Sequence, residues 1–105
     1  MQTAYRRRLD KNPDEAITLP VAGQLLGAGT ETLRNNVEAG RLQPTDTRSW
    51  GEKSLVWVTL GELERWRVDC IRRIRAGKES WTHSTTAMGL LTKLIEAGGD
   101  PDADE

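Results

Sequence analysis

The chain has no phenylalanine, one tyrosine, one histidine and one cysteine. A lone cysteine excludes an internal disulfide and a thiolate metal cluster, and such scarcity fits a reducing compartment. One cysteine and one histidine cannot complete a tetrahedral metal site without carboxylates at suitable spacing. A nucleophile–base pair would have to join Cys70 to His83, and Cys70 lies on the apolar stripe of an expected helix. Gly27-Ala28-Gly29 lacks the Gly-Lys-Ser/Thr that completes a phosphate loop, and it sits between helices rather than after a strand. No enzyme, cofactor or metal is therefore expected. No apolar run approaches the roughly 20 residues of a membrane span, and the basic start has no apolar signal-peptide core, so the expected location is the cytoplasm.

What the sequence does contain is four tryptophans among 105 residues and a charged fraction of 30%, enough for one domain with a modest core and polar tails. The net charge of −1 averages opposed segments. Asp100, Asp102, Asp104 and Glu105 crowd the last six positions; without them, residues 1–99 hold 15 basic against 12 acidic side chains, a net +3. So mild a balance implies weak non-specific attraction to a polyanion, with specificity left to particular contacts.

The most informative stretch is Ile17 to Pro44, ITLPVAGQLLGAGTETLRNNVEAGRLQP. Thr18 is placed to cap a helix with Pro20 in its first turn, and Val21, Ala22, Leu25 and Leu26 recur at helical spacing. Gly27 suits a helix end that needs positive φ. Thr30 can cap a second helix, and Glu31 in its first turn suits the helix dipole. Leu33 and Val37, one turn apart, should face inward, leaving Thr32, Arg34, Asn35 and Glu38 outward, with Gly40 closing the helix. The layout is that of a helix-turn-helix offering its second helix to a major groove, and the outward set carries groups that read base edges and phosphates.

At Gly27-x-x-x-x-Thr32-Leu33-Arg34, followed by Gly40-Arg41-Leu42 and Pro44, the chain resembles the DNA-binding head of MerR-type regulators and, equally, excisionase-type winged helix domains of phages and mobile elements. The likeness runs from Ile17 to Arg67, about half of the chain. It departs at Gly29, where the family usually has a capping serine, and at Asn36, where it usually has a bulky residue. The resemblance implies a mainly α fold with a small β-hairpin wing, a winged helix-turn-helix over 17–76, and DNA contacts from Thr30, Glu31, Thr32, Arg34, Asn35 and Arg41.

Around this head the expectations are as follows. Residues 1–16 form a basic N-terminal arm, in which Arg6, Arg7 and Arg8 either track DNA or are simply solvated, and Asn12-Pro13-Asp14-Glu15 starts a helical turn. Leu42 to Thr45 form a short strand, residues 46–53 a polar loop, and Ser54 to Val58 the returning strand. Arg48 and Lys53 at the hairpin tip would hold phosphates. Trp50 would lie against the sugar edge or fold back as packing. Alternation places Leu55 and Trp57 on one face, with Trp57 in the core. Thr59-Leu60-Gly61-Glu62 is a capping box that opens a helix with the stripe Leu60, Leu63, Trp66, Cys70, Ile71 and Ile74. Its other face is expected to carry Arg65, Arg67, Arg72, Arg73 and Arg75. After the link 77–80 and Trp81, a C-terminal helix within 77–97 starts near Ser84 or Thr85. It carries Ala87, Met88, Leu91, Leu94 and Ile95, which fold back on Ile71 and Ile74 or pair with a second chain as a dimerisation surface, Met88, Leu91, Leu94 and Ile95 lining it. Residues 98–105 are an acidic tail expected to be disordered.

The function expected on these grounds is sequence-specific binding of double-stranded DNA near the nucleoid. The role would be that of a small transcriptional regulator or an excisionase-type directionality factor, alone, as a homodimer or as a cooperative array. RNA polymerase or a recombinase would be the protein partner. The alternatives are a winged-helix protein–protein interaction module and the DNA-recognition head of a packaging or partition protein.

Overall fold

The computed structural model describes residues 3–50, 53–77 and 85–103; the side chains of 46–50, 53–54 and 85–86 lie outside that description. The described chain is mainly helical with a small antiparallel sheet. Its elements are α1 (Ala4–Lys11), β1 (Ala16–Thr18), α2 (Leu19–Leu26), α3 (Thr30–Glu38), β2 (Asp46–Trp50), β3 (Lys53–Thr59), α4 (Leu60–Arg75) and α5 (Thr85–Gly98).

The N-terminal segment is not a free arm. The Thr3 side chain accepts from the Arg6 amide to cap α1, and Tyr5 and Leu9, one turn apart, are buried in the core. Two apolar anchors at helical spacing were enough to dock eight residues that a run of three arginines made look solvated. Nor do Asn12 to Glu15 start a helix. Asn12 ends α1, its Oδ1 accepts from the Asp14 amide, and the segment turns into β1. The carbonyls of this turn have a use: Glu15 accepts from the Leu60 amide at 2.9 Å and Pro13 from the Gly61 amide at 2.7 Å. With the Glu62 amide bonded to Thr59 Oγ1, the first donors of α4 are thus satisfied. Thr59 caps as expected, but Glu62 does not complete the box. Its carboxylate takes Arg65 and the Gln43 amide instead.

α2 follows the sequence reading. Thr18 stands at its N-cap with proline in the first turn, and Gly27 closes it at φ 70°. Gly23, inside α2, is as constrained as Gly27: a Cβ there would stand 2.8 Å from the carbonyl oxygen of Ala28. The close approach of helix and turn therefore depends on a missing side chain. α3 begins one residue earlier than expected. Gly29 is the N-cap without a side-chain bond, and Thr30 is the first helical residue. Leu33 is fully buried and Val37 packs against the core. Asn36, in place of a bulky residue, spends its amide on the Thr32 carbonyl at 2.7 Å, while its own carbonyl accepts from the Arg41 and Leu42 amides. Those bonds turn the chain out of α3 and set Leu42, fully buried, into the core.

The hairpin lies later than the hydropathy pattern suggests. Residues 42–45 form no strand; the expected loop at 46–50 is β2, which pairs with β3 from Asp46↔Trp57 to Trp50↔Lys53. β1 adds to the other edge of β3 (Ile17↔Val58), giving the order β1-β3-β2. The alternation in β3 is real but has the opposite sense. Val58 is fully buried and Val56 packs on the core, whereas Leu55, 41% exposed, shares the outer face with Trp57. Trp57 is only partly covered, and its Nε1 finds no acceptor among the described residues.

α5 folds back within the chain, packing against α4, α2 and α1. Ala87, Leu90, Leu94 and Ala97 are buried along one side. Of the four residues assigned to dimerisation, Leu94 is entirely inside the chain's own core, Leu91 and Ile95 are partly buried against it, and Met88 remains 53% exposed. The surface they were expected to offer to a second chain is therefore largely consumed internally. The joint is sealed by Arg67, which the arginine-rich outer face was expected to include but which is 1% exposed. Its guanidinium donates to the carbonyls of Leu94 (2.8 Å), Gly98 (3.3 Å) and Gly99 (2.7 Å) and, through Nε and Nη2, to both carboxylate oxygens of Glu64. Tyr5 donates to Glu64, Arg6 donates to the Gly98 carbonyl, and the Thr3 hydroxyl to that of Ala97. The carbonyls of Ala97 and Gly98, at the end of α5 where partners within the helix run out, are in this way satisfied by Thr3, Arg6 and Arg67. The described part of the tail is tied to α4: Arg75 meets Asp100 at 2.6 and 2.7 Å, and Arg72 meets Asp102 at 3.2 Å. Trp81 and His83, and the end of the tail at 104–105, lie outside the described residues.

Candidate nucleic-acid interface

Positions 31, 34, 35 and 38 of a helix fall on one stripe, and in α3 all four side chains, Glu31, Arg34, Asn35 and Glu38, are exposed. Thr32, at the edge, is half-buried. None of these side chains makes a hydrogen bond or ion pair among the described residues. On the opposite side Leu33 and Val37 fix the helix to the core. The arrangement is a short helix held from behind, with an uncommitted polar front. Its charge is not strongly positive: Arg34 stands between two glutamates. Thr30 is half-buried at the start of the helix.

The turn after α3 is built by α4. Arg65 donates to the Arg41 carbonyl at 2.7 Å and to Glu62, whose carboxylate in turn holds the Gln43 amide at 2.9 Å. The hydrogen bond from Arg65 is the main reason the Glu62 carboxyl is held below its usual range. Arg41 is half-buried and engaged within the chain. It is therefore less available than a cation on a free loop.

The hairpin brings Arg48 opposite Leu55, and Trp50 opposite Lys53, at the end remote from the sheet centre. Their side chains lie outside the described residues, so only this backbone register bears on their expected roles.

The arginine run is split by the folding of α1. Arg6 pairs with Glu64 at 3.2 Å, and Arg8 with Glu15 at 3.0 Å; Arg7 is exposed and pairs with no carboxylate among the described residues. The same sorting applies to α4, where Arg65, Arg67, Arg72, Arg73 and Arg75 each meet an acidic side chain. The basic face inferred from composition is therefore mostly neutralised from within. Arg7, Lys11, Arg34 and Lys93 are the described cations that meet no carboxylate in this way and have no other recorded partner.

The strongest perturbations of ionisable groups lie away from this front. Burial, followed by the neighbouring Glu64, pushes the Tyr5 phenol far above its usual range and keeps it a neutral donor. Burial also pushes the Glu64 carboxyl up, but the hydrogen bonds from Arg67 and Tyr5 outweigh it and leave the group below its usual range. These residues make a structural joint, not a reactive centre: every polar atom faces a protein partner. Among the described residues no cluster of three or more His, Cys, Asp and Glu side chains is placed to hold a metal ion. No described helix is long and apolar enough to cross a membrane.

Three residues of weight escaped the sequence reading. Arg67 falls on the apolar stripe itself, four residues after Leu63 and four before Ile71, and that position was the available signal. Gly23 sits between buried Ala22 and Leu26 at a helix-interior position where glycine is otherwise costly, by about 0.5–1 kcal/mol. Lys93 bears on the turn before α3 only because α5 folds back, and no local pattern announces it. No protein-family model, curated protein or solved structure matches the chain.

Proposed function

We propose that the protein is a sequence-specific DNA-binding protein of the winged helix-turn-helix kind. α3 enters the major groove, and the β2–β3 hairpin lies along the flanking backbone as the wing. One observation carries the reading: the exposed row Glu31, Arg34, Asn35 and Glu38 on a helix whose other side is fixed in the core and whose approach is set by two close glycines. Arginine and asparagine are the side chains that make paired hydrogen bonds to guanine and adenine edges, and the acidic residues flanking them suit exclusion of wrong register more than raw attraction. Arg48 and Lys53 at the hairpin end are the wing cations of this reading. The role is that of a small transcriptional regulator or an excisionase-type factor of a phage or mobile element, working in the cytoplasm at the nucleoid. Genomic selection of bound fragments separates the two roles, by sites at promoters or at an attachment locus.

The test is titration of a selected duplex and a random duplex over a series of salt concentrations. Affinity should fall steeply with salt, by about one unit of log–log slope per phosphate contacted, and the selected site should be preferred at every salt. Binding that is absent, or indifferent to salt, overturns the reading. A second reading, a protein-interaction module, is favoured by the apolar outer face of the hairpin, where Leu55 is 41% exposed beside Trp57. It predicts no duplex binding in the same titration.

A further inference from the structure

We infer that α5 adds a phosphate contact to the DNA interface through Lys93; the inference rests on the DNA-binding reading of α3. Lys93 is exposed on the side of α5 that faces the α2–α3 turn. Its Cβ, Cγ and Cδ all lie 3.9 Å from where a Cβ on Gly27 would stand, so the aliphatic stem runs over the turn. The residue borders two adjoining hollows. One, of about 230 Å³, is shared with Ala28, Gly29, Thr32 and Gly89; the other reaches Gln24 and Leu25 of α2. Little side-chain bulk blocks the first: a Cβ at Gly89 would meet nothing within 4 Å, and one at Gly29 only Thr32 Oγ1 at 3.8 Å.

Charge sorting makes this lysine distinctive. Most arginines of the chain are neutralised by its own carboxylates. Among the described cations left over, Arg34 stands on the front of α3 and Lys93 borders the turn that leads into it. Glu96, three residues on, borders the second hollow, and Glu31 lies in the first turn of α3; neither forms an ion pair with Lys93. When a recognition helix lies in the major groove, backbone contacts from the segments around it set its register and orientation without reading sequence. A flexible ammonium with its stem laid on the turn is suited to a phosphodiester, as a point charge rather than a planar fork. The fold-back of α5 thereby supplies the mildly charged head with a cation from outside the helix-turn-helix.

The experiment compares the full-length protein with Lys93→Gln, Lys93→Arg and Lys93→Glu on a selected and a random duplex. Lys93→Gln should weaken both by the same several-fold factor and lower the salt slope by about one. Lys93→Arg should restore both, Lys93→Glu should weaken binding further, and the melting temperatures should coincide. If the parent protein binds DNA with steep salt dependence but Lys93→Gln changes neither affinity nor slope, the inference fails and the reading of α3 stands. If affinity falls together with melting temperature and arginine does not restore it, Lys93 serves packing and the inference fails likewise. If the parent protein shows no salt-dependent binding at all, the reading of α3 fails and takes this contact with it.

Discussion

Arg34 and Arg67 are both arginines on amphipathic helices, and the molecule treats them in opposite ways. The α4–α5 joint encloses Arg67 and matches its donors to three backbone carbonyls and a carboxylate. The α3 front leaves Arg34 exposed with no partner among the described residues. The difference separates stability from recognition. A cation surrounded by acceptors is committed to the fold, and its removal leaves groups unsatisfied. A cation with no intramolecular partner adds little to the fold and is free to be bound by something else. Applied to every basic residue whose side chain is described, this distinction leaves few positive charges available.

The largest effect should come from Arg67→Ala. Removing one partner from a buried pair typically costs about 3–5 kcal/mol, and here the α5 carbonyls and the Glu64 carboxylate would also lose donors. Denaturant unfolding should show that loss, or no cooperative transition at all. Arg67→Lys should recover little of it, since an ammonium cannot span the same set of acceptors. A loss below about 1 kcal/mol would mean that water replaces the guanidinium, and the contrast with Arg34 would lose its basis.

Gly23→Ala comes next. The added methyl would stand 2.8 Å from a backbone oxygen, so α2 and the turn must separate. Overpacking of this kind costs about 1–3 kcal/mol in unfolding experiments. Because the turn aims α3, the same variant should also weaken DNA binding after correction for the unfolded fraction. That coupling blurs the distinction between the two regions at one point, where fold and front share a backbone contact.

How far the sequence revealed this molecule follows from which interactions are local. α2, the turn at Gly27, the buried Leu33 and the cap at Thr59 depend on residues within a few positions of one another, and each was legible. α1 was missed because Tyr5 and Leu9 gain their burial from α4 and α5, far along the chain. The face of β3 was misassigned because alternation sets a period but not which side meets the core. The hairpin strands were shifted because β2 is polar from Asp46 to Ser49 and pairs by backbone register. In the candidate site the outward row of α3 was legible, and so, in principle, were the pairs of Arg65, Arg67 and Arg73 with acids three or four residues away within α4. The pairs of Arg6, Arg72 and Arg75 join distant segments and leave no trace in spacing. The contacts of the tail were hidden for the same reason, since Asp100 and Asp102 find Arg72 and Arg75 only in the folded chain.

Arg34→Ala sharpens the comparison from the other side. Stability should change by less than about 0.5 kcal/mol, the usual range for an exposed site without partners. Affinity for a selected duplex should fall by about 1–3 kcal/mol if the side chain reads a base edge. An equal loss on random DNA would make Arg34 a backbone contact and shift base reading to Asn35.

The smallest effect is expected where the two kinds of arginine meet, at the exposed pairs of Arg75 and Arg72 with the tail. The hydrogen bond from Arg75 holds the Asp100 carboxyl down, from 3.8 to about 2. A depressed carboxyl contributes stability above its unfolded value and loses it as pH falls through the folded value. Asp100→Asn should therefore lower the melting temperature slightly and by a constant amount above pH 3.8, and the gap to the parent should close as pH approaches 2. Exposed pairs are also screened, so the gap should shrink at 1 M salt, where the Debye length is about 3 Å, while the deficit of Arg67→Ala should persist. A gap that survives both acid and salt would assign the order of the tail to its backbone, through the turn at Gly99 and Pro101, and would leave the arginines of the last turn of α4 available to a polyanion after all.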